Sequence, residues 1–206
     1  KNVRFLNGLR SEEGLPASRQ LCDNGRFLQE EAASLRPAPG SVRLTAFPGG
    51  ESRIACFARV FLAHTAGELR LSQLEEALAV WQKEQPLEEE EWTALPQALR
   101  GALLLLLGEL AHSCVREQMV RRQAERLCRL LEKGWERRAM ALFHRYGQND
   151  SFLEKLFSRW RQGGFDEQLL WLENQLDAQG RSAEEVANRE HLRQIDEARW
   201  VGNALA

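Results

Sequence analysis

The segment PLEEEEWTALPQALRGALLLLLGELAH, Pro86–His112, decides the fold class of this chain. Its four consecutive glutamates, Glu88–Glu91, precede Trp92 and suit the solvated first turn of a helix, where carboxylates favour the positive end of the helix dipole. Pro96 suits the first position of a helix and disfavours helical geometry at the residue before it. The pattern therefore predicts a short helix that ends before Pro96 and a second, long helix from Pro96 to near Gly134.

The five consecutive leucines, Leu103–Leu107, lie inside this predicted long helix. They give it two adjacent apolar stripes, which is typical of a core helix that other helices surround. The run is far shorter than the roughly 20 apolar residues that cross a bilayer, so we expect no membrane span. Gly101 and Gly108 share one helix face, where we expect a neighbouring helix to approach closely. Beyond His112 the apolar line narrows among Arg and Glu, which predicts that residues 115–133 leave the core and become half exposed.

Helical periodicity extends over nearly every other long segment, whereas strand-like alternation is scarce. Residues 36–50, which hold three of the six prolines, form the clearest predicted loop. The sequence predicts an all-α fold over residues 18–206, a single helical bundle of about eight or nine helices with one long central helix, behind a flexible segment at 1–17. The further predicted helices are Ser18–Leu35, Ser52–Thr65 (ended by Gly67), Ser72 to Pro86, Arg137–Tyr146, Ser151–Arg161, Asp166–Gln179 (ended by Gly180), and one from a Ser182–Glu185 capping box to Ala204.

Composition indicates a globular chain without a general attraction to polyanions. The 206 residues carry a formal net charge of −2, so we expect no nucleic-acid partner. The four cysteines form no CxxC pair, and we interpret them as reduced thiols of a cytoplasmic protein, most of them buried. They are Cys22, Cys56, Cys114 and Cys128.

Catalytic motifs are missing from the sequence, which contains no phosphate-binding glycine loop, metalloprotease helix or nucleophile elbow. The histidines stand apart from one another, so we predict no metal site, no cofactor site and no catalytic residue. The arginines of 121–129 alternate with glutamates and predict a salt-bridged exposed face. The six tryptophans fall at apolar helical positions and predict core packing. The histidines are His64, His112, His144 and His191, and the tryptophans are Trp81, Trp92, Trp135, Trp160, Trp171 and Trp200.

Four stretches in order resemble the N-terminal region of the cyclic β-1,2-glucan synthases, which are very large bacterial membrane enzymes. They are LCDNGRFLQEEAASLR (21–36), RIACFARVFLAHTAGEL (53–69), PLEEEEWTALPQALRGALLLLLGELA (86–111) and WLENQLDAQGRSAEEVANREHLRQIDEARWVGNAL (171–205). The family's tyrosine-rich segment is replaced here by PGSVRLTAFPGG, which indicates a divergent member. We call the following the signature residues: His64, Glu91, Trp92, Pro96, Leu99, Arg100, Trp171, Gly180, Glu190, His191, Gln194, Gly202 and Asn203.

The resemblance implies a role in polysaccharide biosynthesis. Enzymes of this family polymerise glucose from UDP-glucose with a divalent metal in a glycosyltransferase module, and further modules cyclise the glucan. The matched region precedes the transferase motifs and the first membrane span, so the resemblance implies a non-catalytic fragment of a larger membrane enzyme. It would lie on the cytoplasmic side of the inner membrane, with the remaining modules of the same polypeptide as partners and no cofactor of its own.

Two other functions stay open from the sequence. An independent helical scaffold or regulator would bind a protein partner through the Arg/Glu face at 118–133. A sugar-binding module would stack glucose rings on Trp135, Trp160 or Trp171.

Overall fold

The computed structural model describes residues 15–35, 46, 50 and 52–206. Most of the predicted loop at 36–50 and residues 1–14 of the predicted flexible segment lie outside the described residues. The described part contains nine helices and one isolated bridge between Ala46 and Ser52, which confirms the all-α fold class. The helices are α1 Pro16–Asp23, α2 Gly25–Ser34, α3 Arg53–His64, α4 Leu71–Glu84, α5 Glu89–Glu132, α6 Glu136–Tyr146, α7 Asp150–Gly163, α8 Asp166–Asp177 and α9 Ala183–Leu205.

The described residues fall into two compact units. The first comprises Pro16–His112 and Glu197–Ala206, and the second comprises Leu15 and Ser113–Asp196. Helices α5 and α9 each contribute residues to both units.

Helix α5 is continuous through Pro96 over 44 residues, so the predicted break at this proline is wrong. A proline inside a helix removes one backbone hydrogen bond, here the one to the carbonyl of Trp92. Pro96 is exposed, so water can solvate that carbonyl, while Leu95 and Leu99 on either side are buried in the core. Burial of these leucines outweighs the local preference against helical geometry before proline.

The start of the chain also differs from the prediction. Helix α1 begins at Pro16, whereas Ser18 lies inside it, buried and with no hydrogen-bond partner for its hydroxyl. A turn at Asn24 separates α1 from α2, and the Asn24 side chain donates to the Gln20 carbonyl at 2.9 Å. The same carbonyl also accepts from the Asn24 backbone amide at 3.1 Å. Where the sequence predicts one helix, the structure has two that meet at this turn.

Several predicted helix ends are confirmed. Gly67, Gly134 and Gly180 follow α3, α5 and α8 with φ of +79°, +71° and +68°, a conformation that glycine adopts without strain. The capping box at the start of α9 is formed: Ser182 N donates to Glu185 Oε2 at 3.0 Å, and Glu185 N donates to Ser182 Oγ at 3.1 Å.

Each unit has its own apolar core. In the first unit α3, α4 and α5 supply Ile54, Phe57, Ala58, Phe61, Leu62, Leu74, Leu78, Leu95, Leu99 and Ala102, and Leu87 precedes α5. In the second unit α5–α9 supply Ala124, Leu127, Cys128, Ala139, Phe143, Phe152, Leu153, Leu156, Phe157, Trp160, Leu172, Leu176 and Val186. Because Ala124, Leu127 and Cys128 are at most 3% exposed, the prediction that residues 115–133 leave the core is wrong. Their predicted half exposure is confirmed, since the arginines at 122, 126 and 129 are exposed.

The leucine run is less enclosed than predicted. Leu107 is buried, but Leu105 is 67% exposed, and among the described residues a Cβ at Gly101 or Gly108 would meet no atom within 4 Å beyond the neighbouring backbone of α5. The predicted close approach of a helix at these two glycines is therefore wrong. Helix α5 contains an 18-residue window of mean hydropathy 1.4, of which 28% is buried, so its length and composition would suffice to cross a membrane. Core helices of soluble proteins share that property, and the expected absence of a membrane span stays a prediction.

Candidate functional site

A buried carboxylate joins the start of α5 to the start of α3. Arg53 Nε donates to Glu91 Oε1 at 3.1 Å and Arg53 Nη2 donates to Glu91 Oε2 at 2.5 Å, which makes a bidentate pair. Glu91 Oε2 also accepts from the Glu88 backbone amide at 3.0 Å, and Arg53 Nη2 donates to the Pro86 carbonyl at 3.2 Å. Glu91 is fully buried, so only the other three glutamates of the run form the predicted solvated helix start.

The charge of Glu91 is stabilised despite its burial. Hydrogen bonds from Arg53 lower the pKa of this carboxyl more than burial raises it, and the Glu88 amide lowers it further. Glu91 therefore stays ionised at neutral pH and acts as a polar tie between two helices.

A second buried carboxylate, Glu190 of α9, lies in the other unit. Its oxygens accept from Arg193 Nε at 3.0 Å, from Arg193 Nη2 at 2.8 Å and from Gln194 Nε2 at 2.6 Å. Arg193 Nη2 also donates to Ser151 Oγ of α7 at 3.1 Å, and Arg121 Nη1 of α5 lies 3.7 Å from Glu190 Oε1. The cluster thus connects α9 with α7 and α5.

Burial raises the pKa of Glu190, but hydrogen bonds from Arg193 and Gln194, the charge of Arg193 and a hydrogen bond with Ser151 lower it, and the net direction is downward. A general acid at neutral pH needs a raised pKa. Neither Glu91 nor Glu190 has a raised pKa. Each carboxylate accepts hydrogen bonds from an arginine. Their arrangement suits structural ties between helices.

The ion pairs of α5 run between helices rather than along the predicted Arg/Glu face. Arg121 Nη1 donates to Glu154 Oε2 of α7 at 2.7 Å, and Lys155 Nζ lies 3.5 Å from Glu125 Oε1. The side chains of Arg121 and Lys155 are only 14% and 10% exposed. Sequence reasoning missed Lys155, although a lysine within the apolar face of Phe152, Leu153, Leu156 and Phe157 signals a buried partner.

Six signature residues make contacts that hold helix ends or helix pairs together. Asn203 Nδ2 donates to the Ala66 carbonyl at 3.1 Å, and Gly202 lies beside Gln20, whose Nε2 would be in ordinary van der Waals contact, at 3.7 Å, with a Cβ at this position. Arg100 forms an ion pair with Glu31 of α2. The remaining three are Glu91, Glu190 and Gln194, described above.

The other signature residues divide by exposure. Leu99 is buried in the first core, Trp171 packs edge-on against Phe143 with ring centroids 4.9 Å apart, and Gly180 ends α8. The remaining four, His64, Trp92, Pro96 and His191, are exposed.

The tryptophans are less uniformly buried than predicted. Trp160 is 2% exposed, whereas Trp92 and Trp135 are 43% and 47% exposed, so the prediction of core packing is wrong for these two. Trp135 lies at the start of α6, where Lys133 and Arg138 approach its ring at 5.5 and 4.9 Å. At 2% exposure Trp160 cannot offer the face of its ring to a sugar, although it lines a cavity together with Trp171, and Trp135 and Trp171 stay candidates for stacking.

Within the described residues, no group of three or more His, Cys, Asp or Glu side chains is arranged to hold a metal ion. The four histidines are exposed. All four cysteines are free thiols, with Cys114 and Cys128 buried and Cys22 and Cys56 partly buried. Burial raises the pKa of the Cys128 thiol, which keeps it protonated and unreactive.

Each unit carries an open apolar cavity. In the first unit a groove of about 700 Å³, which we call the α3–α4 groove, has Phe57, Phe61 and Trp81 in its lining. In the second unit a cavity of about 390 Å³ is lined by Phe143, Trp160, Trp171 and the carboxylates of Glu136 and Glu167.

No protein-family model and no curated protein sequence matches this chain.

Proposed function

We propose that this chain is a non-catalytic helical domain of a cyclic β-1,2-glucan synthase-like enzyme, and that it supports the glycosyltransferase module of that enzyme. The observation that carries the proposal is the place of two of the buried carboxylates, those of Glu91 and Glu190. Glu91 and Glu190 lie in two of the stretches that resemble the family. Glu91 is bonded to Arg53 of another helix, and Glu190 is bonded to Arg193 of its own helix, which in turn donates to Ser151 of α7. Resemblance at such positions favours a shared helical framework rather than a shared chemical step.

The same reasoning extends to Asn203 and Arg100, whose side chains join segments far apart in sequence. Under this proposal UDP-glucose and a divalent metal belong to the transferase module and not to this domain. The partners of the domain are the remaining modules of the same polypeptide, on the cytoplasmic side of the bacterial inner membrane.

Glucan synthesis by membranes tests the proposal. Membranes from cells that make the native protein, and from cells whose gene is interrupted within this segment, are incubated with labelled UDP-glucose and a divalent metal. We expect β-1,2-linked glucan from the first membranes only. Equal synthesis by both membranes would overturn the proposal.

A matched pair of variants separates support from catalysis. Leu153→Ala opens a cavity at a fully buried position, whereas Leu170→Ala changes a leucine that is 61% exposed. We expect Leu153→Ala to lower the amount of enzyme and of glucan in parallel, and Leu170→Ala to leave both unchanged. A loss of glucan without loss of enzyme in Leu153→Ala would indicate a catalytic role instead.

An independent helical scaffold that binds a protein partner is the second candidate. The exposed side chains of Arg122, Arg126 and Arg129 on α5 favour it. The face is narrower than residues 118–133, because Gln118, Ala124 and Leu127 are buried. This candidate requires a native chain that carries no transferase module.

A further inference from the structure

We infer that the α3–α4 groove is a docking site for a basic amphipathic helix of a partner protein. This inference does not depend on the proposed function. The groove is predominantly apolar, with Phe57 and Phe61 buried in its lining and Val60 and Val80 exposed at 47% and 64%. Apolar surface of this kind that remains open on a folded domain marks an interaction site.

The dimensions of the groove suit a helix. Its lining extends along α4 from Gln73 to Glu84, and to Gln85 just beyond the helix, which corresponds to about 17 Å of helix axis. A partner helix of about 12 residues, or three turns, has the same length. A helix that lies in such a groove inserts apolar residues spaced by three and four positions.

The charge of the rim selects the partner. Glu76, Val80 and Glu84 recur every fourth residue along α4, so two carboxylates flank an apolar position on one line of the helix. Glu76 and Glu84 are thus about 12 Å apart along the axis. Among the described residues that line the groove, His64 is the one basic type, and Lys and Arg are absent.

This arrangement is complementary to a helix with apolar residues on one face and Lys or Arg about two turns apart beside them. Opposite charges at a rim accelerate association and exclude partners of like charge. An anionic membrane surface does not fit, because the rim carboxylates would repel it.

The interior of the groove is built from rigid aromatic contacts. The Phe57 ring meets Trp81 edge-on with centroids 5.3 Å apart and stacks with Phe61 at 6.1 Å. Large aromatic anchors in a preformed site lose little conformational entropy on binding. The site therefore needs no large rearrangement to receive a helix.

A designed peptide tests the inference. The probe is a helical peptide of about 14 residues with Leu at positions i, i+3, i+4 and i+7 and Lys elsewhere, and the control peptide carries Glu in place of each Lys. Calorimetric titration of the full chain at about 0.15 M salt, where charges more than about 8 Å apart are largely screened, should detect binding of the Lys peptide, with affinity at least ~10-fold above that of the Glu peptide.

Paired variants locate the site. We expect Glu76→Lys/Glu84→Lys to weaken binding of the Lys peptide by ~10-fold or more, and Val60→Ser/Val80→Ser to weaken it as well. The control Glu75→Lys/Glu109→Lys makes the same change of charge at exposed glutamates outside the groove, and it should leave the affinity within about twofold.

Three results would overturn the inference: no binding of the Lys peptide, equal loss in the groove and control variants, or binding of both peptides alike. It would also be overturned if the chain self-associated through Val60 and Val80, since a second copy would then occupy the groove. Binding to vesicles of anionic phospholipid that Val60→Ser/Val80→Ser abolishes would equally contradict it.

Discussion

Glu91 illustrates how one residue in a run of identical residues acquires a different role. Its neighbours Glu88, Glu89 and Glu90 are exposed, whereas its own carboxylate is buried and bonded to Arg53. The fourth glutamate points inward because the helix places it on the same face as Leu95 and Leu99. The run thus combines favourable charge at the helix start with a tie to α3.

Replacing this carboxylate should destabilise the first unit. Glu91→Gln keeps the volume but removes the charge that Arg53 needs, and we expect the free energy of unfolding to fall by about 2 kcal/mol. Glu90→Gln is the matched control, because it changes an exposed glutamate in the same turn, and it should stay within about 0.5 kcal/mol of the parent chain. Urea unfolding measures both, and equal stabilities of the two variants would contradict the buried pair.

Acid should destabilise the protein by protonating two of its buried carboxylates, those of Glu91 and Glu190. The pKa values of Glu91 and Glu190 lie below the ordinary value of 4.5, so the unfolded chain binds protons more readily than the folded one. The stability from these groups is fully present above the unfolded pKa and is lost as the pH falls through the folded pKa. We therefore expect the free energy of unfolding to decrease as the pH is lowered from about 6 to about 3.

The variant Glu190→Gln isolates one of these groups. Its free energy of unfolding should lie about 2 kcal/mol below that of the parent at neutral pH, and the difference should shrink towards acid pH. Glu173→Gln, at an exposed glutamate of the same unit, should retain the parental pH dependence. A difference between Glu190→Gln and the parent that is constant with pH would show that the carboxylate is not ionised in the fold.

At the scale of the element, α5 shows that packing can outweigh the local preference of a proline for the start of a helix. A proline at the first position of a helix is favourable, whereas a proline in the interior costs a hydrogen bond. A helix that starts at Pro96 and a helix that continues through Pro96 therefore predict opposite changes in the free energy of unfolding when Pro96 is replaced.

Pro96→Ala should stabilise the protein if α5 is continuous. Alanine restores the amide that donates to the Trp92 carbonyl, and after allowance for the greater entropy of the unfolded chain we expect a gain of about 1–2 kcal/mol in the free energy of unfolding. Thermal and urea unfolding of the variant measure the change. A loss of stability would instead support a helix that starts at Pro96.

Three glycines provide a further test of α5 and its surroundings. Gly101 and Gly108 lie within the helix with open space around them, so Gly101→Ala and Gly108→Ala should each raise the free energy of unfolding by about 0.5–1 kcal/mol. Gly67→Ala should lower it by more than about 1 kcal/mol, because Gly67 has φ of +79° and a Cβ there would lie 2.9 Å from the Trp200 ring.

The opposite signs form an internal control in one unfolding assay. If Gly101→Ala or Gly108→Ala destabilised the protein, a neighbouring helix would lie close to these glycines, as their spacing in the sequence predicted.

Sequence reasoning succeeded where structure depends on near neighbours. Periodicity located the helices, and glycines after apolar runs located the ends of α3, α5 and α8. It failed where the decisive partner is distant: Arg53 is 38 residues from Glu91, and Asn203 is 137 residues from Ala66. Exposure of Leu105 and Trp135 was missed for the same reason, since a helical pattern does not reveal which apolar positions find a neighbour.

At the scale of the whole molecule, the two compact units contain ion pairs and apolar cores but no cluster of groups suited to catalysis within the described residues. The buried charges stabilise helix contacts, and the α3–α4 groove offers a surface for a partner. The proposed supporting role rests on the helix contacts alone, and it is tested on the native protein rather than on the isolated chain.

The most direct test of the central claim is the size and location of the native protein, measured by probing fractionated cells with an antibody raised against this chain. The proposed role in a synthase predicts a membrane-bound band far larger than the 23.6 kDa of this chain. A soluble band near 23.6 kDa would contradict it and would favour an independent scaffold.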